Sequence, residues 1–134
     1  MLATMFSDLK VVELASVLAG PAVGLFFAEL GAEVIKIENA STQGDVTRRW
    51  KAPTEPATKK DSAYYQSVNY GKQSLLLNLK DQCNKQKVYD LVAEADIVIA
   101  NYRPGGAKKL GMDYAQLSNI NPRLIYAELS GFGD

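Results

Sequence analysis

Five short stretches of the chain are apolar nearly throughout and rich in Val, Ile and Leu: Val11 to Leu14, Val34 to Ile37, Leu75 to Leu79, Ile97 to Ala100 and Leu124 to Leu129. Runs of this length and composition suit strands covered on both faces, and so a parallel sheet. Between them the apolar positions change to helical spacing. Ala19, Ala22, Val23, Phe26, Phe27 and Leu30 recur at steps of three and four, with Pro21 near the first turn and Gly31 just past the end. They predict a largely buried helix. A second helix opens at Asp81, a capping residue, and runs to about Ala95, with Val88, Leu91, Val92 and Ala95 on one face and Lys85, Gln86 and Asp90 on the other. A third spans Tyr114 to Ile120 and is ended by Pro122.

Strand and helix alternating with crossovers of this length give right-handed βαβ units and an open, Rossmann-like α/β sheet. Ligands of such sheets gather beyond the carboxyl ends of the strands. That rim comprises Ala15 to Gly20, Glu38 to Asn39, Asn101 to Gly106 and Ser130 to Gly133. From Asn39 to about Asp61 the apolar period disappears, Gly44, Asp45, Pro53 and Pro56 mark turns, and Arg48, Arg49, Trp50 and Lys51 form a basic aromatic knot. A loop this long in a compact domain reads first as an interface or a lid.

Composition narrows the chemistry. The 134 residues suit one domain, with 47% apolar and 22% charged residues, so the chain folds by burial. Fifteen basic residues balance fifteen acidic ones, which removes the broad electrostatic footprint of a nucleic-acid or membrane-surface binder. The single Cys83 excludes an internal disulfide, and without any His the usual zinc sites and His-dependent nucleophiles are absent. No basic region leads into an apolar leader, and the longest uncharged run, Leu14 to Ala28, falls short of the roughly 20 residues of a membrane helix. The cytoplasm is the expected compartment.

A strand, a glycine-containing turn, a helix and a second strand ending in Glu38 imitate a dinucleotide-binding fingerprint. Gly20 and Gly24 form only GxxxG, however, and Pro21 removes a backbone donor, so close packing of helix on strand is the better reading. Asn101, Tyr102 and Arg103 directly follow a buried strand. An amide, an aromatic face and a guanidinium there can hold a polar ring and a phosphate, or Asn101 can tie down the turn while Tyr102 packs on the next helix. Lys72, Lys80, Lys108 and Lys109 read singly as solvated surface. Arg48, Arg49 and Trp50 suit a subunit boundary or a cap on the domain's own core. Cys83 has no partner to activate it, and Glu13, Glu29, Glu38, Asp45 and Asp113 form no acid and base pair. No catalytic constellation is visible.

The segments Leu9-Lys-Val-Val-Glu-Leu-Ala15, Val17-Leu-Ala-Gly-Pro21, Leu30-Gly-Ala-Glu-Val-Ile-Lys-Ile-Glu38, Gly44-Asp-Val-Thr-Arg48, Asn69-Tyr-Gly-Lys-Gln-Ser74, Ala95-Asp-Ile-Val-Ile-Ala-Asn-Tyr-Arg-Pro-Gly105, Leu110-Gly111, and Asn121-Pro-Arg-Leu-Ile-Tyr126 through Ser130-Gly-Phe-Gly133 carry a further signal. In this order and spacing they resemble the class III coenzyme A transferases, over nearly the whole chain. The resemblance implies the N-terminal part, residues 1–134, of an open α/β large domain, with the second domain and the rest of the large domain outside this chain. It also implies an interlaced homodimer, acyl-CoA and carboxylic acid substrates, and no prosthetic group.

In that family an aspartate attacks the acyl-CoA to give a mixed anhydride, and the released thiolate then forms an aspartyl thioester that the acceptor acid resolves. By resemblance this aspartate lies beyond Asp134, so the chain alone is expected to be inactive. The coenzyme A cradle implied here is Val17, Leu18, Ala19, Asn39, Leu77, Lys80, Asn101, Tyr102, Lys109 and Leu110. Formyl-CoA transferases of the family carry Gln in place of Leu18 and Arg in place of Asn39 and Lys109, which argues against formyl and oxalate chemistry and for differently placed phosphate contacts. The family's acyl-CoA racemase branch, which moves a proton alpha to the thioester, and a non-catalytic fragment that binds coenzyme A or only pairs with other subunits are the alternatives. Isolated residues 1–134 are expected to expose apolar surface on one sheet edge or face and to be marginally soluble or self-associate.

Overall fold

A computed structural model describes residues 4–133. Five parallel strands, β1 (Lys10–Leu14), β2 (Glu33–Asn39), β3 (Gln73–Leu77), β4 (Ile97–Ala100) and β5 (Ile125–Glu128), form one sheet in the order β3-β2-β1-β4-β5. The helices are α1 (Ala19–Glu29), α2 (Ala63–Asn69), α3 (Gln82–Glu94), α4 (Gly106–Leu110) and α5 (Tyr114–Ile120), with short 3-10 turns at Ala40–Thr42 and Val46–Arg49. The α/β class and all five strands follow the apolar runs. The helices α1, α3 and α5 follow the helical spacing, and Asp81 caps α3 by accepting from the Cys83 amide at 3.1 Å.

Alternation along the strands sends successive side chains to opposite faces. Val12, Leu14, Ile37, Leu77, Val98 and Ala100 pack with Val88 and Val92 of α3, Leu117 of α5 and Met112. On the other face Val11, Val34, Ile97 and Ile99 meet Val23, Phe27 and Ala28 of α1. Among the described residues the outer strands are half-covered. Leu76 of β3 and Ile125 of β5 are exposed, because an edge strand has a neighbour on one side only and no described helix reaches across it. The helix α1 likewise buries only one side: Gly20, Pro21 and Gly24 face the sheet while Phe26 faces solvent. No described helix is long and apolar enough to cross a membrane.

Candidate functional site

The chain leaves β1 toward α1 on one face and, after β4, runs to α4 and α5, with α5 packed on the other, so the adjacent ends of β1 and β4 form a topological switch point. The turn between β1 and α1 is gripped there from three directions. Asn101, just after β4, accepts from the Ser16 amide at 2.9 Å and donates to its carbonyl at 2.7 Å. Lys36 of β2 donates to the Ala15 carbonyl at 2.7 Å. The Asp45 carboxylate accepts from the Val17 amide at 3.2 Å. Val17 has φ +70°, a left-handed conformation that a β-branched residue rarely adopts. Asn101 therefore ties down the turn and also lines the rim cavity beside it.

Beneath this turn the α1 face of the sheet holds buried charge. Glu13 and Lys36 are paired in the register of β1 and β2, and their side chains meet at 2.8 Å. Lys36 also lies 3.1 Å from Asp45, and Lys72 reaches in from the start of β3 to lie 2.7 Å from Glu13 and to donate to the Pro21 carbonyl. Two carboxylates thus face two ammonium groups in a site closed to water. Burial holds Lys72 below the usual lysine range, although Glu13 works against it. Lys72 is therefore not the solvated surface residue its position in the sequence suggests. Gly20 and Gly24 fit the packing reading: a Cβ on Gly20 would overlap Ala15, and one on Gly24 would overlap the Glu13 carboxylate.

Glu38, at the end of β2, anchors a second cluster. Its carboxylate accepts two bonds from Arg48, at 2.6 and 2.8 Å, and others from Tyr65, Ser74 and the Asp45 amide. Burial alone would raise the Glu38 pKa, but Arg48 and these other donors outweigh it and bring it down to about 2. In Asp45 burial is likewise outweighed, by the Thr47 amide and the Lys36 charge, and its pKa lies below the ordinary range. Arg48 also pairs with Asp61 and lies 3.9 Å over the Tyr65 ring. The first half of the Asn39–Asp61 segment is consequently fastened to the sheet and is not a free lid. Of the basic knot, Arg48 points inward, while Arg49 and Trp50 are exposed, with Trp50 against Tyr64 at 5.4 Å between rings.

Two cavities open at the rim on either side of Tyr102. The smaller, ≈ 150 Å³, is lined by Asn39, Ser41, Leu77, Lys80, Tyr102 and Leu110, among others. The larger, ≈ 410 Å³, is lined by Val17, Asn39, Thr42, Asn101, Tyr102 and Arg103, among others. Seven of the ten cradle residues, Val17, Asn39, Leu77, Lys80, Asn101, Tyr102 and Leu110, therefore face this pair of cavities. Leu18 and Ala19 lie exposed where α1 begins, and Lys109 is exposed on α4. Neither cavity includes these three. Asn39 accepts from the Ser41 amide and hydroxyl, which fixes the 3-10 turn after β2. Tyr102 packs on the α3 side of the core, and burial pushes its hydroxyl pKa up to about 12. The sequence reading missed Ser41 and Thr42 as lining residues and Lys36 as a support of the turn. A signal for Lys36 exists in the pattern, since a lysine inside Val34-Ile-Lys-Ile37 must find a partner if the strand is covered on both faces.

Comparison with known proteins places this geometry. The model of CoA-transferase family III matches residues 6–134. The chain is 42% identical over 132 residues to a cinnamoyl-CoA:phenyllactate CoA-transferase of Clostridium sporogenes, covering 97% of this chain and 31% of that protein. It is 45% identical over 130 residues to a succinate–glutarate CoA-transferase of Agrobacterium fabrum, covering 95% and 32%. A crystal structure of a CAIB/BAIF family protein from Brucella suis superposes with a TM-score of 0.85 at 46% identity, over 93% of this chain and 33% of that one. The chain thus spans about a third of the length of these relatives. With a matching family model over nearly all its residues and the same five-stranded fold, this chain belongs to CoA-transferase family III.

Proposed function

We propose that this chain supplies the coenzyme A-binding part of an enzyme that moves coenzyme A from an acyl-CoA to a carboxylic acid. In this reading residues 1–134 are one N-terminal α/β unit of a larger domain that works as a homodimer in the cytoplasm. The observation that carries it is the pair of rim cavities sharing Asn39 and Tyr102. An aromatic ring, the apolar Leu77 and Leu110, and Lys80 offer one cavity to an adenine and its phosphates, and the adjoining cavity leads past Tyr102 to the β1–α1 turn.

The carboxylates at these cavities are unsuited to attack. Glu38 and Asp45 are both held ionised at low pH by cations and amides that already occupy their oxygens, which makes them weak nucleophiles and weak bases. A further aspartate, expected beyond residue 134, would attack the thioester carbonyl and expel the thiolate. The thiolate would return to the aspartyl carbonyl as the acyl carboxylate leaves.

Calorimetry with coenzyme A tests the binding role. The chain should bind it, and Lys80→Ala should weaken binding about tenfold, the weight of one charge-assisted contact of ~1.4 kcal/mol. No heat with the unaltered chain, or an unchanged affinity in Lys80→Ala, would reject the cradle. The 134 residues alone, given an acyl-CoA and an acceptor acid, should show no turnover, and turnover would reject the assignment of the nucleophile elsewhere.

A further inference from the structure

The β1–α1 turn is held by Asp45, which lines the larger rim cavity, and by Lys36, buried beneath it. Val17 carries the left-handed φ of +70°, and a Val there costs free energy that its own side chain cannot recover. Its amide donates to the Asp45 carboxylate. Asp45 is buried, and its own orientation is fixed by the Thr47 amide and hydroxyl at 3.0 and 2.8 Å and by Lys36 at 3.1 Å. Lys36 is fully buried, and the same ammonium holds the Ala15 carbonyl two residues before Val17. One ammonium and one carboxylate, in contact with each other, therefore grip the turn on both sides of Ser16. A fixed pair of this kind compensates for local strain that the turn would otherwise release by relaxing to a right-handed or extended backbone.

From this geometry we propose that Asp45 and Lys36 are positioning residues: they hold Val17 in its left-handed conformation and so set the course of the Ala15–Val17 backbone along the larger rim cavity. The role rests on the coenzyme A reading above for its ligand, but the conformational part stands apart from it. Neither residue needs to touch the ligand. Their effect on binding passes through the Val17 backbone, and a glycine at position 17, which reaches φ +70° without strain, makes the grip largely dispensable.

The test is a double-mutant cycle on the 134-residue chain with Asp45→Asn, Val17→Gly and the two combined. Asp45→Asn keeps the shape and an acceptor but removes the charge facing Lys36. Coenzyme A affinity by calorimetry should fall about tenfold in the Val17 background and less than about threefold in the Val17→Gly background. Equal losses in both backgrounds, or none, would overturn the proposal, because Asp45 would then act on the ligand, on the whole fold, or on nothing. Amide hydrogen exchange gives a readout that needs no ligand. Asp45→Asn should speed exchange at Val17 while Val98 in the central sheet stays protected. Unchanged exchange at Val17 would overturn the proposal even if coenzyme A binds. Absence of coenzyme A binding together with accelerated exchange at Val17 would remove the ligand reading and leave the grip on the turn established.

Discussion

Gly24 shows how a single position can depend on a charge several residues away. Its missing side chain is what lets α1 lie against the Glu13 carboxylate, which Lys36 and Lys72 flank. Gly24→Ala should therefore lower stability by about 3 kcal/mol, measured by urea unfolding, despite the better helix propensity of Ala. The helix–strand packing role of Gly20 and Gly24 was legible in the chain, because GxxxG without the remaining dinucleotide glycines has few other uses. The buried charges were less so. Glu13 and Glu38 read as carboxylates without a mate because their partners are cations drawn from other elements: Lys36 from the next strand, Arg48 from a turn, Lys72 from the far side of α2. Only the strand register brings Glu13 opposite Lys36, and register is a property of the sheet.

At the scale of elements, apolar spacing sufficed for α1, α3 and α5. The five-residue α4, which begins at the Gly105–Gly106 pair, is too short to show a face, and α2, though as long as α5, escaped because its buried side mixes Tyr65 and Val68 with the polar Asn69. The α2 cap, Ser62, is visible afterwards as a residue whose hydroxyl accepts from the Tyr65 amide at 2.9 Å. The outer strands show the opposite effect. Their apolar content led to an expectation of cover on both faces, yet Leu75 and Leu76 of β3 are left open among the described residues. An uncovered apolar edge strand pairs readily with another chain. Leu76→Lys should accordingly reduce self-association in light scattering, with the circular dichroism spectrum unchanged. The cavity residues were legible to the extent that they end a strand, as Asn39 does, or follow one directly, as Asn101 and Tyr102 do. The turn residues Ser41 and Thr42 carried no such marker.

For the whole molecule, the Glu38 cluster ties β2, β3, α2 and the Asn39–Asp61 segment into one acid-sensitive unit. Its folded pKa of about 2 lies below the ordinary 4.5. A depressed carboxylate contributes stability that is fully present above pH 4.5 and is lost as pH falls toward 2, on the order of 3 kcal/mol in total. Urea midpoints measured between pH 5 and pH 2, scanned in about half-unit steps, should fall across that window and fall much less in Glu38→Gln. The strand order carries a different consequence. The first described strand, β1, sits in the middle of the sheet, and on one side it is met by a segment 86 residues downstream, where the Lys10 amide meets Asp96. A nascent chain emerging from the ribosome therefore carries β1 with an open flank until that later segment has emerged, and this long-range pairing is a contact of high sequence separation that slows folding.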